Sequence, residues 1–164
     1  MQVTPENVLL DPGFQLFETM RVTRDQRVRH LDSHLVRLER SAVTLAFRFD
    51  RARLMAALDE ALTRVAAGVT SRLRLALAHD GGIDIWSETL PPLPDGRVDL
   101  LIESKPVAGA RLLAHHKTTL RAAYDAGVRR AELRGAYDSL FFAADGRMVE
   151  GGRSNVFVLL DGRW

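Results

Sequence analysis

Cysteine is missing from all 164 residues. Disulfides, thiolate catalysis and cysteine-bound metals are therefore excluded. Lysine is nearly missing too. Lys105 and Lys117 are the two lysines among 23 basic residues, and the rest are arginines. No apolar run approaches the length needed to span a membrane, so no membrane partner is expected. Met1 to Pro12 is polar and lacks the apolar centre of a signal peptide, which points to a cytoplasmic protein. Long blocks of one charge are also absent. The formal net charge is only +2, so no nucleic-acid partner is expected. What remains is ordinary: 46% hydrophobic residues, enough for a globular core of one domain or one and a fraction.

Along the chain, Asp11-Pro12-Gly13 signals a turn, and 14–22 reads as a strand. Arg24-Asp25-Gln26 suggests a hairpin turn, with Arg27 to His30 returning. Leu31, Leu35, Leu38, Ala42 and Leu45 recur near a 3.6-residue period, which predicts a helix capped by Asp32 or Ser33. A second helix follows Asp50, with Leu54, Leu58, Ala61, Leu62 and Val65 inward and Gly68 as its stop. The segment 72–78 and the segment 83–86, joined through His79-Asp-Gly-Gly, read as a hairpin. Residues 98–103 are a further strand. In the second half, Thr118 or Thr119 is placed to cap a helix running towards Arg134. Residues 136–143, 148–150 and 155–160 then read as strands, with tight turns at Asp145-Gly146 and Asp161-Gly162.

Lys117 stands out chemically. Arginine stays charged at any working pH and is a poor nucleophile, whereas a desolvated lysine amine can form a Schiff base. Lys117 follows the run Arg111-Leu-Leu-Ala and precedes a helical pattern, a boundary position where side chains meet ligands. Glu150 ends a short strand and is followed by Gly151-Gly152, which permits close backbone approach. Ser154 and Asn155 follow it. Arg37 lies off the apolar stripe of the first helix. The histidines offer no metal site: His115 and His116 would point to opposite faces, and His30 with His34 lacks a third ligand. No nucleophile elbow and no phosphate-binding P-loop occur.

Three segments resemble the class IV, or fold type IV, aminotransferases, which use pyridoxal 5′-phosphate (PLP). They are Phe17-Glu-Thr-Met-Arg with His34-Leu-Val-Arg-Leu-Glu-Arg-Ser-Ala, then His116-Lys-Thr-Thr-Leu-Arg-Ala-Ala-Tyr-Asp, then Asp145-Gly-Arg-Met-Val-Glu-Gly-Gly-Arg-Ser-Asn-Val-Phe-Val. The resemblance implies an α+β fold with a small amino-terminal α/β sandwich and a β-rich carboxy-terminal domain. It implies that Lys117 holds PLP through its amine, that Glu150 faces the pyridine nitrogen, that Arg37 binds the phosphate, and that Asn155 and Ser154 support the site. A boundary near Pro106 to Ala110 would separate the amino-terminal domain, 1–106, from the start of a PLP-binding domain, 107–164. The wording around Lys117 is most similar to 4-amino-4-deoxychorismate lyases. The alternatives are a branched-chain or D-amino-acid transaminase and a non-catalytic binding domain. A homodimer is implied as well. Family members usually continue past the segment that ends here at Trp164, so the carboxy-terminal domain is expected to be incomplete.

Overall fold

The computed structural model describes residues 13–106, 113 and 115–164. The turn expected at Asp11-Pro12 and most of the run 111–114 ahead of Lys117 lie outside the described residues. The chain is α+β and divides into two compact units. The first holds residues 13–92, 113 and 115–120; the second holds 93–106 and 121–164. The chain thus enters the second unit, returns to the first around Lys117, and leaves it again at Arg121.

In the first unit, β1 (Leu16–Val22), β2 (Ser71–Leu77) and β3 (Ile83–Thr89) form an antiparallel sheet in that order. Two helices, α1 (Leu31–Thr44) and α2 (Arg51–Thr63), join β1 to β2. Side chains alternate across a strand. Leu16, Met20 and Val22 of β1 therefore share a face with Leu73, Leu75 and Leu77 of β2, and all six are buried. Leu35, Leu38 and Ala42 of α1 and Leu54, Leu58 and Ala61 of α2 complete this core. Each fully buried leucine contributes about 1.5–3 kcal/mol, which makes this cluster the main stabilising feature of the unit. Asp50 caps α2 as expected, accepting the Arg53 N–H at 3.0 Å.

Several local expectations are corrected. Neither Asp32 nor Ser33 caps α1. The helix begins at Leu31, behind His30 in the left-handed region (φ 56°), with no side-chain cap. Both residues fall inside the first turn because the tight turn at His30 feeds the helix directly. The returning strand at Arg27–His30 shrinks to a single bridge, Val22 to Val28.

The second unit holds β4 (Leu100–Ile102), α3 (Ala122–Leu133), β5 (Asp138–Phe142) and β6 (Met148–Gly151). Here β4 runs parallel to β5 and β6 antiparallel to it, with an irregularity between Phe141 and Phe142. Thr118 and Thr119 do not cap α3, which starts behind Arg121 with no side-chain cap. Thr118 pairs through its backbone with Leu16, and Thr119 Oγ1 accepts the Gln15 N–H at 2.9 Å. Residues 155–160 do not form the expected strand. Among the described residues no strand pairs with them, and only Leu160 and Arg163 bridge around Asp161-Gly162.

Candidate active site

Lys117 sits in a short connection stitched to the start of β1. The Phe17 N–H donates to the Lys117 carbonyl at 2.9 Å, and the Thr119 N–H donates to the Gln15 carbonyl at 2.9 Å. His116 Nδ1 lies 3.0 Å from the buried hydroxyl of Ser41 on α1. Burial, with the charges of Arg40 and His115, lowers the His116 pKa, so this ring is neutral near pH 7. The Lys117 ammonium lies 5.0 Å from the centre of the Phe17 ring, and the Arg74 guanidinium lies 4.0 Å from the same ring. One aromatic residue therefore carries two cations beside its own backbone contact to Lys117.

Arg37 is part of a cluster the sequence reading did not contain. Glu18 follows Phe17 on β1 but points to the helix-covered face, and it is 1% exposed. Arg37 Nε donates to Glu18 Oε1 at 2.7 Å, and Arg37 Nη2 to Oε2 at 2.5 Å. His34 Nδ1 lies 2.7 Å from Oε2. His34 and Arg37 are three residues apart on α1, so both reach the same point on β1. Burial opposes ionisation of Glu18, but the hydrogen bonds from Arg37 and His34 outweigh it and hold the carboxyl below its usual pKa. The Arg37 pKa is raised in turn, chiefly by its bonds to Glu18.

In the second unit, Glu150 stands on β6 opposite Phe141 and is exposed. The Tyr124 hydroxyl bonds to it. Burial first, then this bond and the Glu150 charge, push the Tyr124 phenol well above its usual pKa of 10.0. The Tyr124 ring packs edge-on against Phe141 with centroids 4.7 Å apart. The glycines after Glu150 are required by packing. A Cβ on Gly151 would lie 2.6 Å from the Ser154 carbonyl oxygen, and one on Gly152 would lie 2.6 Å from Val128 Cγ2. Buried Asp138 shapes the turn. Its Oδ1 accepts the Ser139 N–H at 2.8 Å, and its Oδ2 accepts the N–H groups of Arg153 at 3.1 Å and Ser154 at 2.9 Å. Arg121 Nη2 donates to the Gly152 carbonyl.

Lys117 and Arg37 thus belong to the first unit, and Glu150, Ser154 and Asn155 to the second. Ser154 is held through its backbone by Asp138; Asn155 is exposed. Glu18, Phe17, Tyr124 and Asp138 were not singled out from the sequence for any role of their own. One signal existed for Glu18: it is a carboxylate at an inward position of a strand whose other inward residues, Leu16, Met20 and Val22, are apolar.

The sequence profile of the family described as amino-transferase class IV matches residues 15–164. A protein of Mycobacterium tuberculosis described as a bifunctional aminodeoxychorismate lyase / D-amino acid transaminase is 29% identical over 99% of this chain and 67% of its own. A candidate amino-acid aminotransferase from Mesorhizobium loti superposes with a TM-score of 0.77 at 30% identity, covering 85% of this chain and 67% of that one. A hypothetical aminotransferase from Mycobacterium tuberculosis in its PLP-bound form gives a TM-score of 0.66 at 30% identity, over 85% and 56%. The chain therefore spans about two thirds or less of the length of the proteins it matches.

Proposed function

The chain belongs to the class IV aminotransferases, the fold type IV enzymes whose cofactor is PLP, and from that premise we propose that it is a 4-amino-4-deoxychorismate lyase. The residues fit the cofactor. Lys117 offers an amine held at a fixed backbone position, Arg37 offers a guanidinium anchored on one edge, and Glu150 offers a carboxylate with a tyrosine partner. In this reading Lys117 takes the cofactor aldehyde, Arg37 its phosphate and Glu150 its pyridine nitrogen. Ser154 and Asn155 follow Glu150 in sequence and support the site in this reading.

When bound, PLP supplies an electron sink conjugated to the substrate amine, and a carboxylate at the pyridine nitrogen deepens that sink. Lys117 would be the group that takes the proton from the amine-bearing ring carbon. The C–O bond at the neighbouring ring carbon would break, its electron pair leaving with enolpyruvate, which takes up a proton to become pyruvate, while the ring becomes aromatic and gives 4-aminobenzoate. Aromatisation supplies the driving force, so the protein's task is to orient the proton acceptor.

The observation that carries the cofactor part of this reading is the placement of Lys117, held by β1 through its carbonyl with its ammonium on the Phe17 ring. The segment His116-Lys-Thr-Thr-Leu-Arg-Ala-Ala-Tyr-Asp favours the lyase. A second reading, an amino-acid transaminase, uses the same residues: Lys117 would again hold and move the proton, and the cofactor would supply the acceptor for the amino group. It is favoured by the relative whose name carries both activities. The reading includes a homodimer in the cytoplasm.

Borohydride reduction of the protein with PLP, followed by peptide mass spectrometry, tests the assignment. We expect the adduct on Lys117; an adduct elsewhere, or none, refutes it. Pyruvate release from aminodeoxychorismate then decides against amination of a keto acid.

A further inference from the structure

Glu18 is an expensive residue for its place. It occupies the inward register of β1 between Leu16 and Met20, opposite Leu75, all buried. A carboxylate there loses its hydration. A buried ion pair does little more than offset that cost, so an apolar side chain would serve stability as well. The residue calls for another explanation.

The geometry supplies one. A guanidinium presents five N–H groups in a rigid plane. Glu18 accepts from Nε and Nη2, which occupies one edge of the Arg37 plane. The remaining donors, on Nη1 and the far side of Nη2, are turned away from Glu18. The Arg37 side chain is 40% exposed, so that second edge can be approached from outside. His34 closes on Glu18 from the preceding turn of α1 and fixes the carboxylate itself. An arginine restrained in this way has already lost its rotamer freedom before any anion arrives, which removes part of the entropic cost of binding.

We infer that Glu18 is a positioning residue that presents the free edge of Arg37 to a phosphate monoester dianion. The inference rests on the proposed assignment of Arg37 to the cofactor phosphate. Its benefit is orientation and not charge, because the negative Glu18 offsets part of the Arg37 field.

The test compares affinities for PLP and for pyridoxal, which has the same ring and aldehyde but no phosphate. Absorbance titrations are run on the unaltered protein, Glu18→Gln, Arg37→Lys and Arg37→Gln, with melting temperatures alongside. The ratio of the two dissociation constants isolates the phosphate contact. We expect Glu18→Gln and Arg37→Lys each to lower the preference for PLP about ten-fold, while pyridoxal binding stays within about two-fold. A general structural role would instead weaken both ligands by the same factor, and that result overturns the inference. If Arg37→Gln lowers the preference but Glu18→Gln does not, the positioning role fails and the phosphate role of Arg37 stands. If the unaltered protein has no preference, or Arg37→Gln leaves it intact, the phosphate role fails and the positioning role with it. Should Glu18→Gln not fold, Glu18→Asp is titrated in its place. It keeps the charge but draws the carboxylate back by one methylene from Arg37, so a full preference for PLP in that variant overturns the inference.

Discussion

Phe17 touches Lys117 twice. Its backbone N–H donates to the Lys117 carbonyl at 2.9 Å, and its ring lies 5.0 Å from the Lys117 ammonium. The backbone bond survives any substitution except proline, so the ring can be removed alone. We expect Phe17→Leu to cost about 1 kcal/mol in denaturant unfolding, since most of the apolar volume is kept. The same variant should show weaker borohydride labelling of Lys117 by PLP. Labelling equal to that of the unaltered protein would mean that the ring does not hold the amine.

Glu18 sets an acid limit on stability. Its carboxyl titrates near 4.5 in the unfolded chain and lower in the fold, so between those values the unfolded state binds more protons. The stabilisation is complete above about pH 4.5 and is lost as pH falls through the folded value. Glu18→Gln should flatten this acid limb and cost about 1–3 kcal/mol at pH 7, less than a fully buried pair because Arg37 can turn to water. Melting temperatures between pH 3 and pH 7, on the order of one unit apart, read both effects. An acid limb unchanged in the variant would assign the loss to another carboxylate.

The turn after Glu150 leaves no room for side chains. Gly151→Ala brings a Cβ within 2.6 Å of a backbone oxygen, and Gly152→Ala brings one within 2.8 Å of Asp138 Oδ1 as well as onto Val128. Each should cost about 1–3 kcal/mol, the Gly151 variant the more, because backbone yields less readily than a side chain. Calorimetry of the two variants checks the order. Stability equal to that of the unaltered protein would show that the turn relaxes freely.

Tyr124 sets the corresponding alkaline limit. Its folded pKa lies above the unfolded value, so its contribution is present below about pH 10 and is lost as pH rises beyond that. Tyr124 and Tyr137 are the only two tyrosines. In an ultraviolet titration, Tyr124→Phe should remove the tyrosinate signal that appears at the highest pH. Persistence of that signal would separate Tyr124 from Glu150.

The helices and the first sheet were legible because their apolar residues repeat at fixed steps. Leu31, Leu35 and Leu38 mark α1, and β2 alternates Leu73, Leu75 and Leu77 with Arg72 and Arg74. Caps were less legible, because a threonine near a helix start has competing partners. Thr119 bonds to Gln15, 104 residues away in sequence, and no local pattern signals that. Residues 155–160 read as a strand by composition, but a strand exists only where a neighbour accepts its hydrogen bonds.

The sequence by itself determined the chemistry available: an amine at Lys117, a guanidinium at Arg37, a carboxylate at Glu150 and no thiol anywhere. It also determined the family, because three motifs in order specify it where none does alone. Only the tertiary structure decided the partners. That Arg37 is gripped by Glu18, that Lys117 rests on Phe17, and that Tyr124 meets Glu150 all depend on strands and helices distant in sequence packing side by side. Side-chain type is local information, whereas the distance and burial that make two side chains act together are properties of the fold.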